Sequence, residues 1–339
     1  PIVVFSRQLA TMVSSGLTLI RALAILSEQT ESKPLAAVIA TMRSDIERGL
    51  SFSQAISKHP KVFPTVYTAM VRSGEAGGML DMVLLQLATM LEKQLELRHR
   101  IKSAMAYPIA VGFIIIAVVS AMLLFIVPMF ESMYADLGGT LPLPTRMLIG
   151  LSSFLTHSWW IIMLLGGGAM YGFKRWKRTP EGRLAVDRLK LRLPIAGQIV
   201  QKSAIARFSQ TLAALERSGV TIMEALDIVA DTAGNAVVAA AINDARERVR
   251  VGESVSVALM NHPVFPPMVV QMMLVGEETG ALDEMLDKIG DFYDAEVSAT
   301  VDSLTSLIEP LLMVVMGATV GGMVVALYLP MFRIINLVK

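Results

Sequence analysis

Gly74-Glu75-Ala76-Gly77-Gly78-Met79-Leu80-Asp81 returns later in the chain as Gly276-Glu277-Glu278-Thr279-Gly280-Ala281-Leu282-Asp283. The Gly-Glu, Gly and Leu-Asp positions keep their order, and the register extends far on both sides. Downstream, Pro310 falls on Pro108, and Pro330-Met331-Phe332 on Pro128-Met129-Phe130. Upstream, Phe265-Pro266 falls on Phe63-Pro64. After one residue is dropped near Lys61, His262-Pro263 falls on His59-Pro60, Gly252 on Gly49, Ala225-Leu226 on Ala22-Leu23, Ser218-Gly219 on Ser15-Gly16, Leu212 on Leu9 and Phe208 on Phe5, an offset of 203. A period this long is a duplicated domain rather than a solenoid unit, so two related modules are joined by an unpaired stretch.

Composition places those modules at a membrane. Mean hydropathy is +0.57, with 54% hydrophobic and 17% charged residues, which is too apolar for an ordinary soluble enzyme of 339 residues. A net charge of +1 offers no excess positive field to collect phosphates, so nucleic-acid binding is not expected. The absence of cysteine excludes disulfides and thiolate metal sites. The chain opens Pro1-Ile2-Val3 without methionine and is expected to be a trimmed or processed product; no basic n-region precedes a cleavable apolar segment, so no secretory signal is expected.

Within the first module, apolar residues recur at helical spacing from Phe5 to Thr30, interrupted at Ser14-Ser15-Gly16, with Thr18 placed to cap a second helix. Ser32 and Pro34 start a third helix that stops at Gly49, and Ser51 starts a short fourth. The His59-to-Pro64 loop leads into a fifth, which closes at Ser73-Gly74; Gly77-Gly78 turns the corner into a long amphipathic sixth helix from Met79. No stretch alternates like a strand. The fold class expected is an all-α membrane protein: two homologous cytoplasmic six-helix bundles with three transmembrane helices.

Ile109 to Val127 and Leu311 to Leu329 are uncharged and long enough, at about 1.5 Å per residue, to cross roughly 30 Å of hydrocarbon. Met147 to Phe173 is a third apolar stretch, containing His157 and Trp159-Trp160. Arg98, Arg100 and Lys102 precede the first span, and Lys174, Arg175, Lys177 and Arg178 follow the second; by the positive-inside rule both modules are cytoplasmic. The repeat requires the same topology, because the unpaired middle span returns the chain before the second copy begins. The expected division is a bundle at 1–108, a span at 109–127, an outer loop at 128–146 with the turn-rich Gly138-to-Pro144 segment, a span at 147–173, a linker at 174–207, a second bundle at 208–310, a span at 311–329 and a short outer tail at 330–339. The two basic residues of that tail weakly oppose this topology.

No motif for covalent chemistry is present. There is no phosphate-binding G-x-x-x-x-G-K-[ST] loop, no H-E-x-x-H pair and no G-x-S-x-G elbow, and His59, His99, His157 and His262 are scattered. No catalytic, cofactor or metal site is therefore expected. The candidate motif is the repeated corner itself: Gly74, Glu75, Gly78 and Asp81, with Gly276, Glu277, Gly280 and Asp283. Each glutamate either contacts a partner or a cation, or accepts backbone N–H groups at the start of the next helix. The aspartates fit the second reading through the helix macrodipole. Gly168 with Gly172, and Gly317 with Gly321, have spacing that suits close packing of membrane helices.

Taken together, Phe5-Ser6-Arg7-Gln8-Leu9-Ala10, the two Gly-Glu corners, Tyr107-Pro108, Arg207-Phe208, Glu309-Pro310 and Tyr328-Leu329-Pro330-Met331-Phe332 resemble the inner-membrane platform proteins of type IV pilus and type II secretion machines, the PilC/GspF family. The resemblance covers essentially the whole chain. The Leu137-to-Arg146 loop and Phe292-Tyr293 look more like the pilus branch. It implies a multi-pass protein of the bacterial cytoplasmic (inner) membrane, with no covalent chemistry and a periplasmic loop and tail. It also implies coupling of a hexameric cytoplasmic assembly or retraction ATPase to insertion or extraction of pilin subunits, contact with other inner-membrane alignment proteins, self-association, and an additional amino-terminal segment ahead of the sequence given. The alternatives are the platform of a type II secretion system and, more distantly, a secondary transporter. The transporter reading is disfavoured because most of each repeat lies outside the membrane and two spans carry no ionisable residue.

Overall fold

The computed structural model describes residues 1–136 and 143–337; Gly138 to Pro142 of the expected outer loop lie outside the described residues. The described residues are helical and contain no strand. In the first copy the helices are α1 (Ile2–Ser14), α2 (Leu19–Gln29), α3 (Lys33–Glu47), α4 (Phe52–Ser57), α5 (Thr65–Gly77) and α6 (Leu80–Ala121). A π-helical turn (Met122–Ile126) leads into α7 (Val127–Asp136); α8 (Leu143–His157), α9 (Trp159–Trp176) and α10 (Pro180–Arg192) follow. The second copy comprises α11 (Ala196–Arg217), α12 (Ile222–Thr232), α13 (Ala236–Arg250), α14 (Val255–Met260), α15 (Pro267–Thr279) and α16 (Leu282–Leu337). From the end of α1 to the end of α4, every boundary recurs 203 residues later, and from the start of α5 to the start of α6 the offset is 202. The missing residue lies where the sequence places it, in the loop between α4 and α5.

Local chemistry sets these boundaries. Gly16, Gly49 and Gly78 take φ of +86°, +96° and +67°, as do Gly219, Gly252 and Gly280 at +78°, +100° and +70°; each follows a helix, where a left-handed residue turns the chain without a Cβ clash. Ser51 forms a reciprocal capping box with Gln54. Thr18 and Ser32 occupy N-cap positions as expected, but neither side chain makes a capping hydrogen bond.

Residues 1–100 and 184–300 form one compact unit, in which both copies share a single apolar core. Phe5, Phe63 and Tyr67 stack edge-on in the first copy, with centroids 5.9 and 5.0 Å apart, and Phe208 meets Phe265 in the same way at 5.1 Å in the second. The second unit holds residues 101–183 and 301–339. Its small core joins Leu123 and Val127 to Met323 and Leu327, and Ser152 Oγ donates to the Leu123 carbonyl at 2.5 Å. Outside that core its helices expose large apolar side chains: Phe113 is 72% and Val314 67% exposed.

Two helices of the described residues are long and apolar enough to cross a membrane, running within Leu80–Ser132 and Leu282–Leu329. The expected middle span at 147–173 is not one helix. α8 and α9 meet at Ser158, whose φ and ψ of −111° and 15° break the helical path. α11 begins at Ala196, well ahead of Phe208, so the expected linker is itself largely helical.

Candidate functional site

The Gly-Glu pair lies within the last turns of a helix rather than at the corner where the sequence reading placed it. Gly74 and Glu75 sit inside α5, and only Gly78 makes the turn. The Glu75 carboxylate reaches back to the start of α4, accepting the amides of Phe52 at 2.6 Å and Ser53 at 3.1 Å. Glu277 does the same in the second copy, accepting Val255 N at 2.7 Å and Ser256 N at 3.2 Å, together with the Ser256 hydroxyl. The expectation of amides at the start of the next helix is thus corrected to the preceding helix. Short helices such as α4 and α14 leave a large share of their amides without intrahelical acceptors, and a carboxylate there satisfies two at once and complements the dipole.

Gly74 and Gly276 are required by proximity. A Cβ at Gly74 would lie 2.9 Å from Val83 Cγ2 on α6; at Gly276 it would meet the Leu282 backbone at 2.9 Å and Met285 at 3.1 Å. The motif therefore clamps the first turn of each long helix against the helix before it, and caps the short helix beyond. Asp283 forms an ion pair with Arg217 at 3.1 Å, whereas Asp81 forms none among the described residues because Ser14 stands in the place of Arg217. Near Glu277 and Asp283 lies Glu216, half-buried, whose Oε2 has no partner among the described residues; burial first, and then those two carboxylates, raise its pKa. Among the described residues no group of three His, Asp or Glu is arranged to hold a metal ion.

The sequence reading missed the seam between the copies. Arg72 on α5 pairs with Glu224 on α12, and Ser73 Oγ donates to the Ser218 carbonyl. Ser218 Oγ donates to Gln86 Oε1 at 3.0 Å, Lys93 reaches Asp291 at 2.6 Å, and Arg100 donates to Ser298 at 2.7 Å. The signal for this surface was the mismatch between copies. Arg72, Ser73 and Lys93 correspond to Leu274, Val275 and Ala295, so the repeat is broken where one copy must bind the other.

The sequence profile of the family described as Type II secretion system (T2SS), protein F matches residues 5–128 and again 208–330, one match per copy. A type IV pilus assembly protein PilC of Thermus thermophilus is 48% identical over 334 residues, spanning 98% of this chain and 82% of the relative. The protein of that name from Myxococcus xanthus is 42% identical over 338 residues, spanning 100% of this chain and 81% of its own length. A type II secretion system protein F of Aeromonas hydrophila is 35% identical over 337 residues, spanning 98% and 86%. With both halves matched by one profile and the likeness running nearly end to end, the chain belongs to the type II secretion system protein F family.

Proposed function

We propose that this chain is an inner-membrane platform protein of a type IV pilus machine. In this reading two homologous cytoplasmic six-helix bundles on three transmembrane helices couple a hexameric cytoplasmic ATPase to insertion or extraction of pilin subunits. The observation that carries the reading is the end-to-end likeness, at 48% identity, to a protein named for type IV pilus assembly. The likeness to a type II secretion protein is weaker, at 35%.

The shared core of the two copies supports placing both on one side of the bilayer, since one packed unit cannot be divided between two compartments. Basic residues flanking the apolar stretches support the cytoplasm as that side. A return crossing is then required, and α9, whose 18 residues extend about 27 Å, is its best candidate. The work is mechanical. The Gly-Glu motif shapes the bundles, and contacts to the ATPase and to neighbouring alignment proteins use other surfaces, in an assembly containing more than one copy of this chain.

The test is co-purification of the full-length protein with the cognate assembly ATPase from membranes. Retention of the ATPase is expected, and its absence in every detergent and nucleotide condition would refute the coupling. A deletion strain separates the two machines: loss of surface pili and twitching with normal protein secretion is expected, and the reverse assigns the chain to secretion.

A further inference from the structure

The copies differ sharply at one wall, formed by the first helix and the corner between α2 and α3, or between α12 and α13. In the second copy this wall is covered. Asp187 of α10 is buried there, its Oδ2 accepting the Ala236 amide at the start of α13 at 2.9 Å. Asn235 caps the same helix, accepting Val237 N at 2.9 Å, and donates to the Asp187 carbonyl at 3.5 Å. Arg207 fills the adjoining space by lying on Gly234, where a Cβ would come within 2.4 Å of Nη1.

In the first copy the wall is open. A groove of ≈ 620 Å³ runs past Val4, Phe5, Gln8, Glu31 and Ser32. Val4 stands where the second copy has Arg207 and is 60% exposed, and Glu31 and Ser32 replace Gly234 and Asn235. The Ser32 side chain does not cap α3, and no other side chain does so among the described residues. The groove thus combines an apolar floor with a helix start that lacks the two acceptors found in its counterpart.

We propose that this groove seats a carboxylate-bearing helix on the amino-terminal side of Pro1, closing the first copy as α10 closes the second. Three observations select that occupant. The helix that closes the second copy lies just upstream of it in the same chain. Asp187 precedes Phe208 by 21 residues, and the same count back from Phe5 falls beyond residue 1. The matched stretch spans 98–100% of this chain but 81–82% of the relatives, so those proteins carry further chain outside it. The occupant presents an apolar face to Val4 and an aspartate or glutamate to the start of α3, where the dipole favours negative charge. None of this depends on which machine the protein serves.

Because residues 1–339 contain no cysteine, a single thiol reports on the groove, any cysteine of the extension being replaced by serine. Glu31→Cys and, independently, Val4→Cys place it at two exposed positions on the wall, and Ser15→Cys serves as an exposed control away from it. Maleimide labelling is compared between purified chain 1–339 and the same protein extended to its natural amino terminus. Extension is expected to slow labelling at both groove thiols by about tenfold or more, independently of protein concentration, and to leave Ser15→Cys unchanged. Alanine at one upstream acidic residue is expected to restore the fast rate. Equal rates in the two forms overturn the proposal. So does protection that grows with protein concentration, which assigns the groove to a second copy, or protection that needs another protein, which assigns it to a partner.

Discussion

Arg7 and Glu92 form an ion pair in the first copy, with Arg7 Nε 2.7 Å from the carboxylate. At the equivalent positions the second copy has Gln210 and Asp294, joined by a 2.6 Å hydrogen bond that faces Lys93 and Glu96 of the first copy across the seam. Ser6 Oγ, which donates to the Ile2 carbonyl, lies 3.3 Å from the Tyr67 hydroxyl, while its counterpart Ser209, in the copy that has Val269 in place of that tyrosine, has no partner for Oγ among the described residues. Where Asp45 pairs with Lys58, Arg248 pairs with Glu253. Through all of these exchanges the helix boundaries from the end of the first helix to the start of the sixth, the three paired left-handed glycines and the glutamate caps stay the same. Backbone amides and close helix contacts admit few solutions, whereas side-chain pairs are rewritten according to whether their surface meets water or the other copy.

If the glutamate caps are the invariant part, removing either one gives the largest loss. Glu75→Ala and Glu277→Ala each leave two amides without their acceptor and are expected to destabilise the protein by about 3 kcal/mol, read as a lower thermal midpoint in detergent. Hydrogen exchange at Ser53 or Ser256 is expected to accelerate only in the copy that carries the substitution. A small effect at either site would separate the two corners and undo their equivalence.

The glycine contacts sharpen the comparison by size. Gly276→Ala drives a Cβ against the Leu282 backbone, which cannot rotate away, whereas Gly74→Ala presses chiefly on the Val83 side chain. A cost of about 2–3 kcal/mol is expected for the first and about 1–2 kcal/mol for the second, from the same melting experiment.

The extent to which this arrangement was legible follows from the same distinction. The duplication, the single lost residue near Lys61, the helix end at Gly49 and the turn at Gly78 were readable because glycine, proline and serine mark geometry that the backbone itself imposes, but the helix expected to close at Ser73-Gly74 runs on to Gly77. The direction of Glu75 was not. A carboxylate on a helix reaches amides on either side of its own turn, and only the packed structure selects α4. The seam was hidden for another reason: Arg72, Ser73 and Lys93 are ordinary surface residues until a second surface is set against them. Nor does hydropathy register the break at Ser158, because the apolar run continues through it.

Tyr67 tests a smaller difference. Its ring is wholly buried, and burial pushes its hydroxyl up to about 12, opposed by the Ser6 contact. Tyr67→Phe removes a buried hydrogen bond and leaves Ser6 its bond to the Ile2 carbonyl, for an expected loss of about 1 kcal/mol. Ser209→Ala, which removes a hydroxyl without a partner, is expected to be neutral or slightly stabilising. Equal losses at the two sites would mean that the copies had not diverged there.

The smallest effect has opposite signs in the two copies. Hydrogen bonding to Arg7 holds Glu92 below the ordinary glutamate range, so its contribution is present above that range and disappears as pH falls through the lowered value. Both side chains are partly exposed, and Glu92→Gln is expected to cost at most about 0.5–1 kcal/mol at neutral pH. Burial raises the Asp294 carboxyl, with Asp291 and Glu96 adding to the shift and Gln210 and Lys93 opposing it. The folded protein therefore holds that proton more tightly than the unfolded chain, and stability declines as pH rises from the ordinary aspartate range through the raised value. Asp294→Asn removes this decline, so a gain of about 0.5–1 kcal/mol is expected at neutral pH and none in acid below both values. Melting curves of the two variants across that range should diverge in opposite directions from the parent as pH rises. Parallel curves would show that the seam has not changed what the second copy requires of its charged pair.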